Sequence, residues 1–99
     1  MLLRDNILNI SDAVWEKVGH NYCDYRTNTT FVSVNIQKLK LKLFLKMGNK
    51  KINDPRYITK PIPKSFGYGL LNTQFNIEKK EDIEYAMKLV IQAYDFVSG

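Results

Sequence analysis

The sequence predicts an α+β fold: an antiparallel sheet of about four strands packed on a long C-terminal helix, with one or two short N-terminal helices. Apolar and polar residues alternate strictly over residues 39–47, as they do in a half-buried antiparallel strand. Over residues 80–97, apolar residues recur every three or four positions, which is typical of an amphipathic helix. With 99 residues, 44% of them hydrophobic, the chain has the size and composition of a single domain spanning residues 1–99.

The N-terminal region predicts two short helices. Residues 2–10 have the apolar spacing of one helix, and residues 12–19 predict a second, with Ser11 or Asp12 as its N-cap and Gly19 as its stop. The apolar side of the second helix is formed by Val14, Trp15 and Val18. Because the first helix begins without a capping residue, the alternative that the chain is a C-terminal fragment of a longer protein stays open.

Four segments predict the strands of the sheet. They are residues 22–26, 31–37, 39–47 and 70–77. Pro61 and Pro63 predict irregular structure over residues 56–67. The apolar ladder of the C-terminal helix comprises Ile83, Ala86, Met87, Val90, Ile91, Tyr94 and Val97. We expect this ladder to pack on the leucines of residues 39–45, since each fully buried large side chain contributes roughly 1.5–3 kcal/mol.

Charge is distributed unevenly along the chain. The chain has 15 Lys and Arg residues against 10 Asp and Glu residues, a net charge of +5. Residues 31–69 contain nine basic residues against Asp54 alone, a net +8, whereas the segments on either side are slightly acidic. A positive field of this kind attracts polyanions.

The alternation in residues 39–47 predicts a basic face on the sheet. Its leucines are expected to point into the core and its lysines to solvent, with Phe44 among them. Lysines along a strand can meet successive phosphates, and an aromatic ring on a sheet can stack on a base. We therefore expect a non-enzymatic binding module that contacts nucleic acid through Lys38, Lys40, Lys42, Phe44, Lys46, Lys50 and Lys51. Arg56, Lys60 and Lys64 extend the positive field across the adjoining loops.

Other interpretations remain open. A protein-interaction or oligomerisation domain of a larger protein would use an exposed apolar patch. That patch is expected to comprise Phe44, Tyr57, Phe66, Tyr68, Leu70 and Leu71. A pocket for a small molecule or peptide beneath residues 56–69 is a further possibility. The lysines also have a simpler explanation, because lysines commonly solvate strand faces and protect strand edges from aggregation.

The sequence predicts no catalytic site, no metal site and no cofactor. His20 and Cys23 are the only histidine and cysteine, too few for the usual four-ligand zinc site. No carboxylate has an obvious spacing for orienting His20 as a base beside a Cys23 nucleophile. The Gly67-Tyr68-Gly69 tripeptide precedes a predicted strand instead of a helix and lacks the P-loop lysine, which disfavours a nucleotide-binding loop.

We expect a cytoplasmic protein without membrane contact. No apolar run approaches the ~20 residues that span a bilayer. Residues 1–9 lack the apolar core of a signal peptide. A single cysteine allows no internal disulfide, which fits a reducing compartment.

Three segments of the chain resemble a known family. They are Phe31-Val-Ser-Val-Asn-Ile-Gln-Lys-Leu-Lys-Leu-Lys-Leu-Phe-Leu, Ile52-Asn-Asp-Pro and Glu81-Asp-Ile-Glu-Tyr-Ala-Met-Lys-Leu-Val-Ile-Gln-Ala-Tyr. They resemble a small bacterial and archaeal domain of unknown function, often labelled "predicted transport protein", and the resemblance covers roughly residues 18–94. Such domains tend to lie at the C-terminus of longer proteins, some of which look like restriction or other DNA-directed defence systems. The resemblance thus implies the fold and a C-terminal position.

The chain departs from that family at residues 66–72. Similar sequences usually read Gly-His-Trp-Gly-x-Gly-Asp there, whereas this chain reads Phe66-Gly-Tyr-Gly-Leu-Leu-Asn. The histidine and the aspartate are absent, so any site that they serve in similar proteins is lost here.

Overall fold

The computed structural model describes residues 2–48, 50–63 and 71–98. Within these residues, six strands form one antiparallel sheet in the order β1-β2-β3-β4-β6-β5. The strands are β1 (Trp15–Val18), β2 (Tyr22–Arg26), β3 (Thr30–Ile36), β4 (Leu41–Leu45), β5 (Lys60–Pro61) and β6 (Thr73–Ile77). The helices are α1 (Leu2–Leu8) and α2 (Asp82–Ser98). α2 packs on β3 and β6 and α1 packs on α2, so both helices lie on one side of the sheet.

This architecture confirms the predicted α+β fold, with an antiparallel sheet on a C-terminal helix and a short N-terminal helix. The four predicted strands correspond to β2, β3, β4 and β6. The sequence does not predict β1 and β5, so the sheet has six strands in the described residues instead of about four. Residue 70, where the last strand is predicted to start, lies outside the described residues.

The helix predicted for residues 12–19 is wrong, because Trp15–Val18 forms strand β1 and pairs with β2 along its whole length. A tight hairpin joins the two strands. In it the backbone N–H of Gly19 donates to the carbonyl of Tyr22 at 2.8 Å, and Asn21 has a φ of 65°. Asparagine tolerates this left-handed conformation better than most residues, so the turn chemistry favours a hairpin over the helical spacing.

Strand β4 is shorter than predicted at both ends. The chain turns between β3 and β4 at Lys38 and Leu39, where the backbone N–H of Gln37 donates to the carbonyl of Lys40 at 3.0 Å. Leu39 is 84% exposed in this turn, so its predicted place in the core is wrong. Inside the strand the predicted alternation holds on the core side, because Leu43 and Leu45 are fully buried.

The core lies between the sheet and α2. It is filled from the strands by Val32, Val34, Leu43, Leu45 and Phe75, and from α2 by Ala86, Leu89, Val90 and Ala93. The buried stripe of α2 differs from the predicted ladder, since Leu89 and Ala93 are buried whereas Ile91 is 42% exposed. Two small alanines in this stripe let the helix approach the sheet closely.

Candidate nucleic-acid interface

The sheet has a second face, turned away from both helices, which we call the outer face. Residues paired across neighbouring strands share a face, so the strand register identifies its members. One row of partners runs Lys17, Asp24, Ser33, Phe44, Gln74 and Lys60. The next row runs Tyr22, Asn35, Lys42 and Asn76, and Trp15 pairs with Arg26 at the β1 edge. Lys46, directly after β4, continues the alternation onto this face.

The described strands place more basic than acidic side chains on the outer face, whereas α2 has more acidic than basic ones. The charged residues that the described strands place on the outer face are Lys17, Arg26, Lys42, Lys46 and Lys60, against Asp24 alone. α2 carries Asp82, Glu84 and Asp95 against Lys88. The outer-face side chains of the described strands thus carry a net positive charge and α2 a net negative one, while Lys40, Lys79 and Lys80 add positive charge on the helix side.

Phe44 is not available for base stacking. It is 4% exposed, although the sequence predicts an exposed ring among the lysines. β4 lies between β3 and β6, so Phe44 has neighbouring side chains on both sides, and its partner Ser33 is buried as well. The ammonium group of Lys42 lies 5.9 Å from the centre of the Phe44 ring. The prediction that Phe44 lies exposed on the basic face is wrong.

Of the predicted lysines, Lys42 and Lys46 lie on the outer face. Both are half-buried, and the ammonium group of Lys46 donates to the hydroxyl of Thr29 at 3.5 Å. Their stems are thus supported by the sheet while their charges reach solvent. These two side chains are the part of the predicted strip that the strand register places together.

The other predicted lysines lie elsewhere. Lys38 is exposed in the β3–β4 turn, and Lys40 lines a cleft on the helix side of the molecule. Lys50 and Lys51 are exposed in the segment that follows β4. Of the residues expected to extend the field, Lys60 joins the outer face through β5, Arg56 stacks on the Tyr85 ring of α2, and Lys64 lies outside the described residues.

Trp15 places an exposed aromatic ring on the outer face. It is 49% exposed, and the guanidinium carbon of Arg26 lies 5.4 Å from the centre of its ring. The indole N–H donates to the carbonyl of Thr27 at 3.3 Å, which fixes the orientation of the ring. The sequence interpretation missed this residue by assigning it to a helix. The apolar and polar residues of Trp15–Val18 do not alternate, so the local sequence gives no strand signal that would have found it.

The opposite side of β1 is fastened to α1. Glu16 accepts hydrogen bonds from the guanidinium of Arg4 at 2.8 Å and from the hydroxyl of Tyr25 at 2.9 Å. The hydrogen bond from Arg4 lowers the pKa of the Glu16 carboxyl below its ordinary value. Burial, helped by the hydrogen bond to Glu16, raises the pKa of the Tyr25 hydroxyl. Because Glu16 is held on the helix side, Trp15 and Lys17 point outward.

The helix side contains an open cleft of about 530 Å³ at the end of the sheet. Its apolar wall is formed by Leu39, Leu41, Ile77 and Ile83. Its rim mixes Lys40, Lys79 and Lys80 with Asp5 and Glu78, so the charges give no strong preference for a cation or an anion. A neighbouring cleft of about 490 Å³ shares Lys80 and Ile83 with it.

The pocket proposed beneath residues 56–69 is untested, because residues 64–70 lie outside the described residues.

The described residues contain no group of three or more His, Cys, Asp and Glu side chains that could hold a metal ion. His20 is exposed in the β1–β2 turn, whereas Cys23 is paired with Val18 and Val34 on the helix side. Burial raises the pKa of the Cys23 thiol, which favours the protonated and less nucleophilic form.

Neither helix in the described part of the chain is long and apolar enough to cross a membrane.

Comparison with known proteins finds a distant relative of unknown function. A curated protein of Haemophilus influenzae, named only as an uncharacterized protein, is 22% identical over 90 residues. The match covers 91% of this chain and 30% of the relative, so the chain spans less than a third of that protein's length. No family model and no solved structure matches the chain. The chain is thus similar to part of an uncharacterized bacterial protein, and the resemblance to the family labelled "predicted transport protein" stays an interpretation of the residues quoted above.

Proposed function

We propose that this chain is a non-enzymatic module that contacts nucleic acid through the outer face of its sheet. The observation that supports this proposal is the excess of five basic side chains over one carboxylate on the outer face of the described strands. Lysine and arginine side chains neutralise phosphates and release counterions, which supplies most of the affinity of sequence-independent binding.

Lys42 and Lys46 form the centre of the proposed contact. They are four residues apart on one face of an extended segment, so their Cα atoms are about 13 Å apart and their ammonium groups can reach different phosphates. Lys17 and Arg26 continue the basic surface toward the β1 edge. Asp24 is the cross-strand partner of Lys17, and a neighbouring opposite charge offsets part of its repulsion of a polyanion.

The proposal is tested by the fluorescence anisotropy of a labelled oligonucleotide titrated with the protein at increasing salt. The logarithm of the binding constant should fall with the logarithm of the salt concentration, with a slope of about −0.7 per phosphate contacted on a single strand. The double variant Lys42→Glu/Lys46→Glu should weaken binding by about tenfold or more, equivalent to about 1.4 kcal/mol. Failure of the wild-type protein to bind any DNA or RNA at low salt would reject the proposal.

A matched control separates the outer face from net charge alone. Lys79→Glu/Lys80→Glu changes the same number of charges at two exposed residues on the helix side. This variant should keep its affinity within a factor of about three, or roughly 0.6 kcal/mol. Equal losses in both double variants would show that the outer face is not the contact surface. Because Lys42 packs on the Phe44 ring, circular dichroism melting of both variants must show a folded protein.

Self-association is a second candidate function, favoured by a different set of exposed apolar residues. The predicted patch is not intact, since Phe44 is buried; its members Phe66, Tyr68 and Leu70 lie outside the described residues. Val18, Ile36 and Leu39 are instead 68%, 50% and 84% exposed at one end of the sheet. Apolar side chains exposed to this degree are commonly covered by a partner when they form a contiguous surface.

Light scattering tests whether a second copy of the chain covers these residues. A dimer that becomes monomeric on Leu39→Ser substitution would support self-association. Wild-type protein that remains a monomer at high concentration would reject it. Neither result affects the nucleic-acid assay, because Leu39 is on the helix side of the molecule.

A further inference from the structure

We propose that the nucleic acid bound by the outer face is single-stranded, and that one of its bases stacks on Trp15. This inference rests on the proposed function and names its substrate class. Trp15 is 49% exposed on the same face as Lys17 and Arg26. Bases in a duplex are stacked on one another and expose only their edges, whereas an unpaired base can place its whole ring on an aromatic side chain.

The structure holds Trp15 as a preformed platform. Its indole N–H donates to the Thr27 carbonyl at 3.3 Å, and the Arg26 guanidinium lies over one side of the ring at 5.4 Å. β1 pairs with β2 along its whole length, which fixes the backbone beneath the ring. A side chain that is already oriented loses little conformational entropy when a base stacks on it.

Basic and polar groups surround this platform on the outer face. Arg26 is the cross-strand partner of Trp15, and Lys17 lies two residues further along β1, about 6.6 Å away. Phosphates on either side of a stacked base would meet these two charges. The row that contains Asn35, Lys42 and Asn76 then leads across the sheet, and its amide groups are suited to hydrogen bonding with the edges of unpaired bases.

The position of the helices disfavours duplex recognition. Reading a duplex in the major groove requires a helix or a two-stranded ribbon that enters the groove. Both helices of the described residues lie on the opposite side of the sheet, so neither is placed to enter a groove from the outer face. An exposed aromatic side chain beside basic residues on a strand is the arrangement that sheet platforms use for single strands.

Trp15 is the only tryptophan in the chain, so its intrinsic fluorescence reports directly on stacking. The protein is titrated with oligo(dT), with oligo(U) and with a DNA duplex of equal length. We expect either single strand, or both, to quench the fluorescence and to bind about tenfold more tightly than the duplex, since one base stacked on an aromatic ring contributes about 1–3 kcal/mol. The two single-stranded probes distinguish a DNA ligand from an RNA ligand.

Variants assign the effect to the indole ring. The Trp15 variants contain no tryptophan, so their affinities are measured by the anisotropy of a labelled oligonucleotide. Trp15→Ala should weaken single-strand binding by about tenfold or more without changing duplex affinity or the salt slope, because no phosphate contact is removed. Trp15→Phe should retain most of the affinity, because it keeps an aromatic ring. Tyr57→Ala is the matched control. The Tyr57 ring is more exposed than that of Trp15, but it lies in a loop that is hydrogen-bonded to α2 through Arg56 and Tyr85, so its removal should leave binding unchanged.

The outcomes separate this inference from the proposed function. Duplex binding as tight as single-strand binding, with unquenched fluorescence and an unaffected Trp15→Ala variant, would overturn the single-strand inference and leave the basic interface standing. The absence of binding to all three probes would overturn both. A loss in Tyr57→Ala equal to that in Trp15→Ala would overturn the assignment of stacking to Trp15.

Discussion

Tyr57 closes a turn in a backbone conformation that tyrosine rarely adopts. Its backbone N–H donates to the carbonyl of Asp54 at 3.0 Å, and its φ is 54°. Pro55 is the second residue of this turn, a position that proline favours, and glycine is preferred at the fourth position, which Tyr57 occupies. The side chain is 89% exposed, so packing offsets little of the strain.

Replacement of Tyr57 by glycine should therefore stabilise the protein. Glycine has no Cβ to clash in the left-handed region, where other L-residues incur a cost of roughly 1–2 kcal/mol. We expect Tyr57→Gly to be more stable than Tyr57→Ala by about 1 kcal/mol in urea unfolding, after the greater chain entropy of glycine is included. Tyr57→Ala is the control because it removes the ring and keeps the Cβ. Equal stability of the two variants would contradict strain at this position.

The Asp54 carboxylate fastens the same loop to α2. One of its oxygens accepts hydrogen bonds from the backbone and hydroxyl of Thr59, both at 2.8 Å, and the other accepts one from the hydroxyl of Tyr85. Partial burial raises the pKa of Asp54, but the hydrogen bonds from Tyr85 and Thr59 outweigh burial and hold the pKa below its ordinary value. The ionised form of Asp54 is thus favoured in the folded protein.

This lowered pKa makes the stability of the protein sensitive to acid. A carboxyl whose pKa is lower in the folded state stabilises the fold above its unfolded pKa, and this contribution is lost as the pH falls through the folded pKa. Unfolding by urea should therefore become easier between about pH 5 and pH 3. Asp54→Asn should lose less stability over this range, with Asp95→Asn on α2 as the control. An unchanged pH dependence in Asp54→Asn would contradict the role of this carboxylate.

Strand β4 shows how position within an element sets the contribution of a leucine. Leu43 and Leu39 belong to the same alternating pattern in the sequence, but Leu43 is fully buried against the helix side and Leu39 is 84% exposed in a turn. The alternation correctly predicts which side of the strand is apolar. It does not reveal where the strand begins, because the turn at residues 38–39 contains no glycine, proline or asparagine to mark it.

Alanine substitutions distinguish these two leucines. Leu43→Ala should destabilise the fold by about 2–5 kcal/mol, since it leaves a cavity in the core. Leu39→Ala should change the free energy of unfolding by less than about 0.5 kcal/mol. Urea unfolding of both variants measures the difference. Similar losses would mean that Leu39 is buried and that the strand extends as far as the sequence predicts.

The hairpin of β1 and β2 shows why the N-terminal region is misassigned from its sequence. Val14 and Val18 have helical spacing, and the apolar and polar residues of Trp15–Val18 do not alternate. A segment of four residues is also too short to establish a strand period. The strand conformation of Trp15–Val18 is stabilised by tertiary contacts. These are the pairing with β2, the turn at Asn21 and the hydrogen bond between Glu16 and Arg4 of α1.

At the scale of the whole molecule, the sheet order predicts a gradient of stability. β3 and β4 are each paired on both sides and contribute the largest share of the buried apolar side chains, whereas β1 lies at an edge and β5 contains two residues. Amide hydrogens are most protected where opening requires global unfolding. Hydrogen exchange should therefore be slowest in β3 and β4 and faster for the paired amides of β1. Equal protection in β1 and β4 would contradict this gradient.

The proposed interface is also a property of the whole molecule. The sequence correctly places Lys42 and Lys46 on one face of an extended segment, because the period of a strand is local. The participation of Trp15, Lys17 and Arg26 depends on which strands pair, and pairing joins residues that are distant in the chain. The burial of Phe44 is also a tertiary property, because the local pattern gives it the same outward position as the half-buried Lys42.

Local periodicity and composition alone determined the fold class, four of the strands, the C-terminal helix and the basic character of the middle segment. Each of these features depends on the pattern of residues that are close together in the sequence. Only the tertiary structure decided that β1 completes the outer face, that Phe44 is buried and that Trp15 is exposed beside Arg26. The physical reason is that the exposure of a side chain depends on what packs beside it. That neighbour is set by the order of strands in the sheet and not by the spacing of residues along the chain.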